Sequence, residues 1–185
     1  LINVRTVNRE KGMISGCVLK FSFDDSNPVI PYGDDELGTQ YSYFYGKDPN
    51  GWYNGVKGYR SIIYSNVWDG IDIVYRFTDE GLKYDIILSP GADPDDIMIN
   101  VEGASSLKSL GASLLIGTPL GLYMADTGLV TYQEDGILIG SSFRADGLGF
   151  GFTIGDYDRT KKVVIDPNMN VVEFSTYVGG SDGES

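Results

Sequence analysis

Histidine is absent from this sequence, so the residues left to do chemistry are carboxylates and aromatic rings. Without imidazole there is no Ser-His-Asp or Cys-His nucleophile and no His-ligated zinc, iron or copper. No side chain has an ordinary pKa near neutrality either. Asp72 and Asp85 would face each other if Tyr75 lies opposite Leu82 in a hairpin. Such a carboxylate pair is the apparatus of glycoside hydrolysis. Arg76 and Lys83 share that face, so the pair reads as a solvated charge pattern with both acids ionised, and the chain as non-catalytic.

Asp24, Asp25, Asp34, Asp35 and Glu36 place five acids within 13 residues, with Ser26 and Asn27 as further oxygen donors. Hard oxygen ligands in a loop suit Ca2+, although the order lacks the alternating Asp pattern of an EF-hand. The alternative is a solvated acidic loop. Eight aromatics follow in 24 residues: Tyr41, Tyr43, Phe44, Tyr45, Trp52, Tyr53, Tyr59 and Tyr64. In a β domain they read first as core and edge packing, and then as an anchor for a protein interface. Trp52, Tyr53 and Tyr59 are also candidate residues of a carbohydrate platform, with Trp52 the most exposed. Cys17 reads as a buried core thiol, with no neighbouring charge to activate it. Gly147, Gly149 and Gly151 alternate instead of opening a helix, so they read as a strand approached closely by a neighbour, not a phosphate loop.

The elements that must position these residues are strands. Glycine supplies 25 of 185 residues, roughly twice its usual share, while alanine, the best helix former, is scarce. Residues 17–23 alternate with period two, putting Cys17, Leu19, Phe21 and Phe23 on one face. Stretches 71–77 and 82–88 flank Thr78-Asp79-Glu80-Gly81, a hairpin signal. Further strands are expected at 97–101, 114–116, 122–125, 129–132, 137–143, 148–154 and 163–165, punctuated by glycine and proline. The one helical turn expected opens at Asp93, with Pro94 at its first position. Residues 24–40 and 46–58 break the alternation and read as surface loops. The pattern is that of an antiparallel β-sandwich or distorted barrel.

The segments Tyr43-Phe44-Tyr45-Gly46-Lys47-Asp48-Pro49-Asn50-Gly51-Trp52, Val67-Trp68-Asp69-Gly70-Ile71-Asp72-Ile73-Val74-Tyr75 and Leu82-Lys83-Tyr84-Asp85 through Pro90-Gly91-Ala92-Asp93-Pro94 stand in a distinctive order. In that order and spacing the sequence resembles the N-terminal domain of secreted proteins carrying SBBP repeats, the seven-bladed β-propeller repeats. The resemblance continues at Val163-Val164-Ile165-Asp166-Pro167 and at Phe174-Ser175-Thr176-Tyr177-Val178-Gly179-Gly180-Ser181, which looks like the opening of a first repeat. Trp68 stands where that family usually has proline. The resemblance implies a secreted or cell-surface module, residues 1–170, followed at 171–185 by the start of a repeat cut short, and it carries over no catalytic residue.

The expected role is therefore a structural or interaction module that packs on the β repeats following it in the same chain, with Phe174 and Tyr177 at the seam. Self-association by strand addition is a second possible contact, and carbohydrate binding around Trp52, assisted or not by Ca2+, is the alternative role. A net charge of −12 repels nucleic acid, and no apolar run approaches the ~20 residues of a membrane-spanning helix. The start at Leu1, with neither methionine nor leader, reads as a processed or cut terminus.

Overall fold

The computed structural model describes residues 1–8, 12–78, 81–167 and 169–170. Three hairpins come first: β1 (Ile2–Asn8) with β2 (Met13–Phe23), β3 (Tyr32–Phe44) with β4 (Trp52–Trp68), and β5 (Ile71–Thr78) with β6 (Gly81–Leu88). Shorter strands follow: β7 (Ile99–Glu102), β8 (Ser106–Leu110), β9 (Ser113–Gly117), β10 (Tyr123–Thr127), β11 (Val130–Gln133) and β12 (Leu138–Ile139). The last four are β13 (Ser141–Asp146), β14 (Gly149–Ile154), β15 (Val163–Asp166) and β16 (Met169–Asn170). Two 3-10 turns, Pro49–Gly51 and Pro94–Asp96, are the helical pieces among the described residues. In each an aspartate before the proline, Asp48 or Asp93, accepts a hydrogen bond from the amide two residues on. That satisfies an N-terminal donor which the turn leaves without a partner.

The strands form an all-β sandwich of antiparallel sheets. One sheet runs β1-β2-β7-β14-β13 and the other β12-β11-β15-β6-β5-β4-β3, while β16-β10-β9-β8 makes a third. All three contribute to one core: Phe150, Phe152 and Leu19 from the first, Ile71, Ile73, Ile86 and Ile165 from the second, and Leu114 and Ile116 from the third are almost fully buried. Alternation inside β14 places Phe150 and Phe152 in that core, and its glycines let the neighbour approach. A Cβ on Gly151 would stand 2.3 Å from the carbonyl oxygen of Ile97, which explains a glycine there.

Four local expectations need correction. Residues 32–40 of the first expected loop and 52–58 of the second are strand, belonging to β3 and β4. No residue of these two stretches is fully buried, so no alternation of apolar and polar positions is imposed on them. In the β5–β6 hairpin Tyr75 pairs with Tyr84, and Leu82 with Phe77. The ladder continues to Thr78↔Gly81, one residue beyond each expected strand end, because the added pair satisfies backbone groups that a wider loop would leave to water. Cys17 is half-buried instead of buried, since β7 covers β2 only along Lys20–Phe23. The strand β8 lacks a long enough alternating run to be legible beforehand.

Residues 171–185, and with them the expected repeat and the seam residues Phe174 and Tyr177, lie outside the described residues.

Candidate functional site

The most distinctive surface is built by β3 and β4. Strand β4 pairs with β5 only from Ser61↔Arg76 to Trp68↔Ile71, so residues 52–60 have β3 as their one strand partner among the described residues. At ~3.4 Å per residue this two-stranded arm extends about 30 Å from the sheet. A lone hairpin is marginal in water, and the arm carries side-chain pairs that support it. Phe44 faces Trp52 edge-to-face at 5.5 Å and 85°, while Tyr43 lies opposite Tyr53 and stacks on Tyr45 at 6.4 Å and 8°. The Trp52 indole N–H donates to the Gly46 carbonyl at 3.3 Å. Nearer the sheet the Tyr59 ring covers Gly33, where a Cβ would come within 2.2 Å of the ring.

Charge pairs complete the ribbon. Lys57 meets Glu36 at 2.8 Å and Arg60 meets Asp35 at 3.0 Å. The hydrogen bond to Glu36, followed by its charge, holds the Lys57 pKa above its ordinary value. Exposed pairs of this kind are screened by water and add little stability; they bridge β3 and β4 in the observed register. The arm therefore leaves aromatic surface in water: Phe44 is 64% exposed, Tyr45 67% and Tyr53 59%.

This geometry redistributes the residues singled out from the sequence. All six aromatics of the 41–53 segment are exposed, with Trp52 at 40% the least of them and not the most, so the core-packing reading and the expected prominence of Trp52 are both corrected: β5 ends before it can cover them. Trp52 and Tyr53, consecutive on β4, project to opposite faces of the ribbon, and Tyr59 is half-buried over Gly33. The three do not share one platform. The five acids are also divided. Asp35 and Glu36 are engaged by the bases of β4, and Asp34 lies beside the Ser61 hydroxyl at 3.5 Å.

Asp24 and Asp25 lie elsewhere, in a cleft of about 480 Å³ with Asn27, Asp69, Asp95 and Asp96. The Trp68 indole fixes its wall by donating to the Asp24 carbonyl at 2.8 Å, and Asn27 donates to Asp69 at 3.2 Å. Arg144 pairs with Asp95 at 2.9 Å. No group of three or more acid, cysteine or histidine side chains converges as a metal site among the described residues. Asp69, Asp95 and Asp96 are too distant in sequence for spacing to reveal their approach to Asp24.

The proposed carboxylate pairing is corrected by the two-residue change of register: Asp72 lies opposite Ile87, and Asp85 opposite Val74. Asp85 is buried, not solvated, and the Arg76 guanidinium donates to it. Asp72 accepts from the Asn66 amide at 2.7 Å, holding a turn in which Asn66 has φ +56° and its own side chain accepts from Gly70. Both aspartates are thus occupied by structure.

The family model described as a domain of unknown function, DUF7948, matches residues 3–168. The chain belongs to the DUF7948 family. No curated protein and no solved structure matches it. The matched span of this DUF7948 domain takes in both large sheets from Asn3 onward, together with the β3–β4 arm. Among the described residues no helix is long and apolar enough to cross a membrane.

Proposed function

We propose that this DUF7948 domain is a non-catalytic interaction module of a secreted or cell-surface protein, and that it docks β repeats of the same polypeptide through the β3–β4 arm. The observation that carries this reading is the arm itself: a strand edge without a neighbour among the described residues, flanked by exposed rings. An edge of that kind offers main-chain hydrogen bonds to a β partner, and the rings offer the rigid contact area that interfaces favour. Separate structural duties for Asp72 and Asp85 support the non-catalytic part.

The test compares amide hydrogen exchange in the domain alone and in the intact protein carrying its following sequence. Slower exchange across 36–60 in the intact protein is expected, with loss of that protection in the variant Phe44→Ser/Trp52→Ser. Equal exchange in both would refute docking through the arm. Binding on a glycan array that Trp52→Ala abolishes would replace this reading with carbohydrate recognition.

A further inference from the structure

The two large sheets do not close completely at one end. A cleft of about 320 Å³ opens between them, with Phe21, Phe23 and Ile99 on one wall and Tyr64, Tyr75 and Tyr84 on the other. The rings interlock without filling it: Phe23 and Tyr64 meet at 6.0 Å, Tyr64 and Tyr75 at 5.8 Å, and Tyr75 and Tyr84 at 6.0 Å. The Tyr84 hydroxyl is turned away into the core, where it donates to Asp126 at 3.0 Å, so its ring is what the cleft receives. Every lining side chain is aliphatic or aromatic, and the phenol oxygens are the polar side-chain atoms of the wall.

That composition specifies the occupant. At ~30 Å³ per molecule the cleft has room for roughly ten waters, yet its walls offer them few hydrogen bonds, so an apolar group gains by displacing them. Its size lies at the lower end of the ligand-site range of about 300–1,000 Å³. No lysine or arginine side chain lines it, and the net charge of −12 opposes anions, so a carboxylate or phosphate head would find no side-chain counter-charge. We propose that this mouth between the sheets binds one small neutral hydrophobic molecule, the size of a bicyclic aromatic or a medium-length alkyl alcohol. This site is separate from the arm and does not depend on the arm's function.

The probe is N-phenyl-1-naphthylamine, a neutral fluorophore, competed by 1-decanol. Saturable one-site enhancement reversed by decanol is expected, with the anionic 1-anilinonaphthalene-8-sulfonate binding at least ten-fold more weakly. Ile62→Trp, which fills the rim, should weaken the neutral probe at least ten-fold. Leu138→Trp, on an exposed position of β12, and Trp52→Ala should leave it unchanged, the latter separating this site from the arm. In the unaltered protein, methyl resonances of Ile2, Ile62, Leu82 and Ile99 should shift with decanol, which decides the matter even if Ile62→Trp fails to fold. Absence of saturable binding, methyl shifts confined to other regions, undiminished binding in folded Ile62→Trp, or equal affinity for the anionic probe would overturn the proposal.

Discussion

Raising the pH above 10 should unfold this protein through two tyrosines in particular. Burial, reinforced by Tyr64, pushes the Tyr75 phenol up to about 12. Burial, and then the charge and hydrogen bond of Asp126, hold Tyr84 well above its ordinary value. In the unfolded chain both lose their protons near pH 10. Between these limits the folded state binds protons that the unfolded state has released, so stability is complete below about pH 10 and declines as pH rises through about 12. For Tyr75 the difference of about 2 units, at 1.36 kcal/mol each, removes about 2.7 kcal/mol, a substantial part of a typical folding free energy of 5–15 kcal/mol. Tyr84 adds a loss of the same sign. Urea midpoints followed by tryptophan fluorescence across this range, with tyrosinate absorbance recorded in parallel, would measure both effects. Tyr75→Phe should reduce the slope by about 1.4 kcal/mol per pH unit. An unchanged slope in that variant, or ionisation of all 13 tyrosines together near pH 10 while the fold persists, would refute a stabilising role for these two buried phenols.

Other perturbations probe other parts of the molecule. Gly151→Ala forces a Cβ against the Ile97 carbonyl and should cost about 1–3 kcal/mol in urea unfolding. Arg76→Met strips buried Asp85 of its guanidinium donor and should cost about 1–3 kcal/mol; Arg76→Met/Asp85→Leu should recover part of that loss, as a double-mutant cycle would show. Trp52→Ala removes the ring pair with Phe44, so amide exchange in the arm should accelerate while global stability changes by less than about 1.5 kcal/mol. Asp93→Ala removes the cap of the Pro94–Asp96 turn and should lower the urea-derived stability by about 0.5–1 kcal/mol.

The sequence by itself determined what depends on neighbours along the chain. Abundant glycine with scarce alanine specifies strands and turns; the Asp93-Pro94 pair specifies a capped 3-10 turn, and the same chemistry at Asp48-Pro49 was equally legible. Alternation also identified the inward faces of β2, β6 and, short of exposed Phe77, β5, because burial on one face forces apolar residues to every second position. Tertiary structure decided the rest. The arm escaped notice because a ribbon exposed on both faces carries no period, and its acids meet their bases only after β3 folds back on β4. A two-residue change of register separated Asp72 from Asp85, and packing over their shared face, which a shift of two leaves unchanged, buried Asp85 beside Arg76. Asp24 shares a cleft with Asp69 and Asp95, and Phe23 shares another with Tyr75, only because separate sheets stack. Sequence periodicity can assign a residue to a face, but it does not specify which distant face packs against it or where the two sheets leave space between them.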